Sequence, residues 1–293
     1  MIAVDWGSSA VRAYRLSDSG SILERRTSSA GVFDAGERPF HILLEELVGD
    51  WLVVGEAPVV MSGMIGSRRG WAEVPYRRCP ARLSDLVTGC LEVRWESRRA
   101  WIVPGLECRS AAGAPDVMRG EETQVLGSAG GLPDSSLLCL PGTHTKWTEY
   151  ANGAIQRFRT SPTGELYRLL VTQSSLITRR TDGAIDPAGF AAGVERAAEP
   201  GGLLHHLFGV RAAQMTGDLS EEAAASFLSG VLIGHEVNDL VLAGRPVHLL
   251  GAAPLTALYR AALERRGVEC IGLDPDAAAA GLFLIGSAIP GAS

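Results

Sequence analysis

The chain opens with three strand-like runs set so close together that they can only be neighbours. IAVDWG, VRAYRLS and SILERRTSS are separated by Ser8-Ser9-Ala10 and Asp18-Ser19-Gly20. Gaps of that length close hairpins and cannot carry a crossover connection, so the opening is an antiparallel meander. The arrangement returns later as SSLLCLPG, TKWTEYA and AIQRFRT, with Asn152-Gly153 as a type I′ hairpin signal. The two copies share almost no identity; only the pattern repeats.

Each meander is followed by helices and further short buried strands. After the first, Phe40, Leu43, Leu44, Leu47, Trp51 and Leu52 fall on one face of a helix. PVVMSG and AWIVPG follow as strands, with GMIGSRRGWAEVPYRRCP between them expected to be loop. EETQVLGSA has the pattern of a short helix. After the second meander, helices are expected near 163–174, 187–199, 202–208 and 221–243. Then come a strand at PVHLLG, a helix at AAPLTALYRAALERRG, a strand at VECIGL and an Ala-rich terminal helix. A duplicated α/β pattern implies two α/β halves with a ligand cleft between them. CRSAAGAPDVM is the expected boundary, dividing the chain into 1–112 and 113–293.

Composition excludes several classes. With 46% hydrophobic residues and a net charge of −6, the chain can build a full core but has no basic excess for nucleic acid. Five scattered cysteines without CxxC spacing fit a reducing compartment, and so the cytoplasm. The opening strand has no basic leader before it, so no signal peptide is expected. Ala277–Ser293 is uncharged but short for a membrane span and contains Pro290; a buried helix is expected there. Nothing in the sequence calls for a membrane partner, and a homodimer is left open.

The turns of the two meanders carry the chemistry. Gly7-Ser8-Ser9 and Gly142-Thr143-His144 are small, hydroxyl-bearing turns that present backbone N–H groups, as a phosphate chain requires. Either alone would also serve as an ordinary hairpin turn. Asp5 ends the strand before the first turn. A carboxylate there repels phosphate unless a cation intervenes, which suggests Mg²⁺; an Asx-turn cap is the plainer alternative. Arg12, which follows the turn, is counted with the phosphate-binding residues. GTHTK lacks Walker A spacing.

AVDWGSSAVRAY, MSGMIGSRRGW, IVPGL, MRGEETQVLG, LPGTHTKW, FRTSPTGELYRLL and SFLSGVLIGHE together resemble the 2-dehydro-3-deoxygalactonokinase family of the actin-like ATPase and sugar-kinase superfamily. The resemblance spans nearly the whole chain. It implies two actin-like (ribonuclease H-like) domains, with the N-terminal one mainly holding the sugar acid and the C-terminal one the nucleotide. It implies ATP and Mg²⁺, and phosphorylation of 2-dehydro-3-deoxy-D-galactonate at O6. By analogy with carbohydrate kinases Glu121 takes the hydroxyl proton. Many relatives have Asp there, Glu122 is an alternative base, and both acids also suit a helix first turn. Arg119 and Arg159 are candidates for the substrate carboxylate, as are Arg68 and Arg69. Gly63, Met64 and Gly66 could bring backbone N–H groups to the sugar acid. Trp71 packs either on its carbon chain or in the core. Gly251 and Ala252 resemble the superfamily's adenosine motif. A kinase for another sugar acid or ketose, a phosphate hydrolase and an ATP-binding regulator are the competing readings.

Overall fold

The computed structural model describes residues 1–53, 57–178, 185–240 and 244–291. The opening meander forms β1 (Ile2–Trp6), β2 (Val11–Leu16) and β3 (Ile22–Ser28), with antiparallel register Asp5↔Arg12 and Trp6↔Val11 at the first hairpin. α1 (Phe40–Val53) crosses back to β4 (Val59–Gly63), which pairs parallel to β1. The loop expected at 63–80 holds a 3₁₀ turn, Met64–Gly66, and the two-residue β5 (Arg77–Arg78). Then follow α2 (Leu83–Gly89), β6 (Leu91–Trp95) and β7 (Arg98–Ile102); α2 and β6 are too short to show a period in sequence. The first sheet has the order β3-β2-β1-β4-β7-β6.

CRSAAGAPDVM is not a linker. It forms the second half of β8 (Leu106–Arg109) and all of β9 (Pro115–Met118), an antiparallel hairpin that joins β5 in a small sheet. Its small polar residues make the turn: Ser110 N–H donates to Ala114 O, and Gly113 has φ +82. Gly, Pro and Ser mark tight turns as readily as linkers.

α3 (Glu121–Ser128) leads into the second meander, β10 (Ser135–Leu140), β11 (Thr145–Ala151) and β12 (Ala154–Ser161). Asn152 and Gly153 both adopt positive φ at its second turn, as type I′ geometry demands. Helices α4 (Thr163–Gln173), α5 (Pro187–Arg196), α6 (Gly202–Thr216) and α7 (Glu221–Asn238) follow. α6 runs well past the expected 208; of the expected 221–243 helix, 241–243 lie outside the described residues. β13 (Val247–Leu249), α8 (Ala253–Glu264), β14 (Cys270–Gly272) and α9 (Ala277–Ala288) complete the chain. The second sheet has the order β12-β11-β10-β13-β14. It repeats the first sheet's order strand for strand up to β7, so the duplicated pattern is a duplicated topology.

Two compact units result. One comprises Met1–Leu138, Thr148–Arg159 and Leu273–Ser293; the other comprises Cys139–Trp147 and Thr160–Gly272. The division does not fall at 112/113, because α3 and the returning α9 both pack within the first unit. There, Ile2, Val4, Trp6, Val59 and Met61 share a core with Leu44 and Val48 of α1. The opposite face of the sheet meets α9, where the Gly286 position abuts Val60. α9 is therefore a packed core helix, and no described helix is long and apolar enough to cross a membrane. In the second unit α5 and α7 meet at glycine: a Cβ on Gly193 would lie 2.1 Å from Phe227 O.

The α3–α9 contact is equally tight. A Cβ on Gly281 would lie 1.9 Å from Thr123 O, and one on Gly127 would lie 1.9 Å from Ala277 O. Backbone cannot yield as a flexible side chain can, so Gly281→Ala should destabilise the protein by about 1–3 kcal/mol. Thermal unfolding tests this: a lower Tm is expected, and an unchanged Tm would show that the helices can part without cost.

Candidate active site

Period-two alternation sends Ile2, Val4 and Trp6 toward α1 and leaves Ala3 and Asp5 on the other face. That face is where α3 starts. Ser62, beside Asp5 on β4, has its hydroxyl 3.4 Å from that of Thr123 on α3. Two glycines clear the space around the Asp5 carboxylate. A Cβ at Gly63 (φ +88) would lie 3.5 Å from Asp5 Oδ1 and 2.6 Å from Trp6 O. One at Gly120 (φ +111) would lie 3.2 Å from Gly63 Cα and 3.9 Å from the same Oδ1. Only glycine adopts such backbone freely while admitting so close an approach.

Burial pushes the Asp5 carboxyl above its usual range; Arg12 opposes the shift and the charge of Glu121 adds to it. A bound cation would reverse that penalty. The oxygen donor and the glycine-cleared space suit a hard divalent ion such as Mg²⁺, completed by water or phosphate oxygens. No group of three or more His, Cys, Asp or Glu poised around a metal occurs among the described residues, so Asp5 would be its main protein anchor.

The segment entering α3 carries two carboxylates in different states. Glu121 is half-buried, and its Oε2 accepts from the Arg119 N–H at 3.1 Å. Glu122 is fully buried, and both its oxygens accept from the Gly120 N–H, at 2.9 and 2.7 Å. Burial first, and then the charge of Glu121, push the Glu122 carboxyl up to about 8. Of the two acids, Glu121 is the one that can be presented to a ligand. Helix-dipole stabilisation of a surface acid does not describe Glu122, which lies at zero exposure.

Arg119 is held on three sides. Its Nη2 donates to Val74 O at 2.8 Å, its guanidinium lies 4.3 Å from the Tyr76 ring centroid, and Nη1 packs over Gly66, where a Cβ would sit 2.9 Å away. Nε and Nη1 are buried with no hydrogen-bond partner. Nε and Nη1 lie on different edges of the guanidinium, so each would need its own acceptor, and a cation with unpaired donors suits an anion. Met64 and Gly66 form the 3₁₀ turn beside it. Trp71 is half-buried against the core, edge-on to Trp95 at 5.4 Å, which favours the core role among the two expected for it. Arg68 pairs with Glu73, and Arg69 stacks on Phe33. Arg159 lies exposed near the end of β12.

The first turn has its carbonyls drawn inward. Gly7 O and Ser8 O accept from the Val32 and Phe33 N–H groups at 3.0 Å, and Gly7 N–H donates to Ala10 O at 2.8 Å. Ser9 and Arg12 are exposed at the turn's rim. The structure thus groups Asp5, Gly7, Ser8, Ser9, Arg12, Gly63, Arg119 and Glu121 within the first unit.

In the second unit, the turn Gly142-Thr143-His144 meets the start of α4. Glu165 N–H donates to Thr143 O at 2.9 Å, and a Cβ on Gly164 would lie 2.4 Å from Gly142 O. His144 Nε2 is 2.6 Å from Glu165 Oε2. The turn at Gly251-Ala252 lies alongside: a Cβ on Gly251 would be 3.5 Å from Pro141 O, and Leu250 N–H donates to Cys139 O. Between these turns and α7 opens a small cavity of about 90 Å³. Gly142, Gly164, Tyr167, Leu232, Leu255 and Leu258 are among its lining residues. A mainly apolar slot beside a glycine turn accepts a flat ring with a charged tail.

Sequence reasoning missed Glu236. Almost fully buried, it accepts from Trp147 Nε1 at 2.5 Å, from the Tyr259 hydroxyl at 2.8 Å and from the Thr163 hydroxyl. Tyr259 in turn meets Thr145 Oγ1 at 2.7 Å. One acid thereby ties β11, α4 and α8 to α7. The signal available was a lone carboxylate within the apolar run VLIGHEV.

The sequence profile of the 2-keto-3-deoxy-galactonokinase family matches residues 5–285. The 2-dehydro-3-deoxygalactonokinase of Escherichia coli (strain K12) is 39% identical over 280 residues, covering 94% of each chain. The crystal structure of a protein provisionally assigned as a 2-dehydro-3-deoxygalactonokinase from Sinorhizobium meliloti superposes with a TM-score of 0.89 at 36% identity, covering 99% of both chains. The activator of 2-hydroxyisocaproyl-CoA dehydratase from Clostridium difficile, solved with ADPNP, shares the fold alone, with a TM-score of 0.52 at 14% identity over 97% of this chain and 93% of that one. The fold is the actin-like ATPase and sugar-kinase fold.

Glu122 makes stability depend on pH. Its carboxyl is raised in the folded protein from 4.5 to about 8, so its stabilising contribution is full below about 4.5 and is lost as pH rises toward 8. Glu122→Gln cannot ionise. Its stability relative to wild type should therefore rise by on the order of 2–4 kcal/mol between pH 5 and pH 8. Thermal melts of both proteins across that range check this, and parallel Tm curves would show that Glu122 is already charged when folded.

Proposed function

We propose, from the premise that this chain belongs to the 2-keto-3-deoxy-galactonokinase family, that it transfers the γ-phosphoryl group of ATP to the 6-hydroxyl of 2-dehydro-3-deoxy-D-galactonate. The observation that carries the substrate class is Arg119: two buried guanidinium donors without a partner, two residues from Glu121. A sugar acid would bring a carboxylate as counter-ion for that guanidinium, and its chain would run over Gly63, Met64 and Gly66. Arg159 stays a secondary candidate for the same carboxylate, and Trp71 would border the site from the core side.

Glu121 is the base for the acceptor hydroxyl. It is accessible, it is fixed by the Arg119 N–H, and it stands near Asp5. Phosphoryl transfer asks little covalent chemistry of a protein, so positioning and charge compensation carry most of the rate. Mg²⁺ at Asp5 would supply compensation for the phosphate charge. Gly7, Ser8, Ser9 and Arg12 are assigned to phosphate oxygens in the first unit, and Gly142, Thr143 and His144 in the second. The cavity beside Gly251 and Ala252 would take the adenine ring. The setting is galactonate breakdown in the cytoplasm.

A coupled ADP-release assay tests the reading with Mg-ATP and three acids: 2-dehydro-3-deoxy-D-galactonate, its gluconate epimer and plain gluconate. The galactonate compound should be turned over best. Glu121→Gln should lower kcat by about 10²–10⁴-fold with ATP binding intact. Arg119→Met should raise the KM for the sugar acid by roughly tenfold or more, since a charged hydrogen bond contributes about 1.5–3 kcal/mol. Absence of sugar-dependent turnover on all three acids would sink the assignment.

A further inference from the structure

Glu122 is the one acid at the entrance to α3 that the proposed chemistry leaves unused, and it is the most deeply buried. Its two oxygens address a single group, the Gly120 N–H. Gly120 is the residue whose conformation decides where Glu121 points: it precedes Glu121, caps α3 without any side chain of its own, and sits at φ +111 and ψ −41. Glycine reaches that region freely and leaves it as freely. Two neighbours restrict it on one side, Gly63 Cα and Asp5 Oδ1. On the other, its N–H is held by Glu122.

We propose that Glu122 is a positioning residue for phosphoryl transfer, gripping the Gly120 peptide from the buried side and so aiming the carboxylate of Glu121 at the acceptor hydroxyl. The inference rests on the kinase reading above. The segment is a double latch. Glu121 reaches back to the Arg119 N–H, and Glu122 reaches back to the next N–H, that of Gly120. Successive peptides are thereby fixed by successive carboxylates, one facing the ligand side and one facing the core. Thr123 adds a third tie, its hydroxyl donating to Gly120 O at 2.6 Å. Both ends of Gly120 are thus held from α3 itself. α3 in turn cannot shift, because Thr123 O and Gly127 are jammed against α9. Removing the acceptor beneath Gly120 would leave a buried N–H unanswered and free the peptide to turn. A displacement of about 1 Å at a reacting group costs as much as 10²-fold in rate. The role asks for an acceptor oxygen and not for a charge, which separates it from that of a base.

Glu122→Gln keeps an acceptor oxygen at the same reach, and Glu122→Met keeps the volume without the acceptor. Steady-state kinetics on both, beside wild type and Glu121→Gln, tests the proposal with Mg-ATP and 2-dehydro-3-deoxy-D-galactonate. Glu122→Gln should retain kcat within about threefold. Glu122→Met should lose about 10–100-fold in kcat, with the KM for ATP within twofold of wild type and the fold intact by circular dichroism. Should Glu122→Met fail to fold, Glu122→Asp takes its place: one methylene shorter, it stays polar but its oxygens fall short of the Gly120 N–H, and the same kcat loss is expected. Equal kcat for the Gln variant and the Met or Asp variant would reduce Glu122 to packing and overturn the proposal. A Glu122→Gln variant as inactive as Glu121→Gln would overturn it too, making Glu122 a base in its own right. Wild-type protein without sugar-acid turnover would sink the kinase reading and this role together; wild-type turnover with an unimpaired Met variant would sink this role alone.

Discussion

Three backbone segments crowd around one carboxylate, and the geometry of the first unit's candidate site depends on that crowding. The end of β1 supplies Asp5, the end of β4 supplies Gly63, and the entrance to α3 supplies Gly120. They meet because β1 and β4 are parallel and adjacent, so both strands end on the same side. Parallel strands in an open α/β sheet deliver their carboxyl ends to one edge, where loops can hold ligands. α3 is pressed to that edge from behind by α9, through glycine contacts with no side chain between them. A helix that begins at Ala277, far downstream of α3, therefore helps fix where Glu121 and Glu122 lie relative to Asp5.

The second unit solves its positioning problem with polarity. Its Gly142-Thr143-His144 turn is fastened to α4 by one backbone hydrogen bond and one glycine contact. The strand that follows is fastened to three helices through Glu236, whose partners come from Trp147, Thr163 and Tyr259. A buried acid is costly unless its hydrogen bonds are answered; with three donors on it, the network becomes specific as well as tolerable. The neighbouring cavity is left mainly apolar, and the glycine turns at Gly142 and Gly251 supply backbone at its edge.

The electrostatics of the first unit are acid-rich. Asp5, Glu121 and Glu122 act on one another through space, with Arg12 and Arg119 as partial counterweights. Burial raises both Asp5 and Glu122, and it pushes the Glu122 carboxyl up to about 8, favouring its protonated form near neutral pH. Arg119 illustrates the converse. Its guanidinium is braced by Val74, Tyr76 and Gly66, yet two of its buried donors make no hydrogen bond.

Much of this was legible in the residues. The meanders, their turns, the type I′ signal at Asn152-Gly153 and the duplication were all readable, because hairpins and period-two alternation are local. The turns at Gly7 and Gly142 and the acids at 121 and 122 were readable for the same reason. What misled was local ambiguity. CRSAAGAPDVM has the composition of a linker and of a hairpin turn alike, and only its pairing with β5 chooses. Tertiary structure alone decided that Arg119 has donors to spare, that Glu122 is buried while Glu121 is not, and that Glu236 gathers three elements. Each depends on which atoms from distant segments surround a side chain. The sequence determines which groups can ionise or donate; burial and partners, assembled across the chain, determine which of them do.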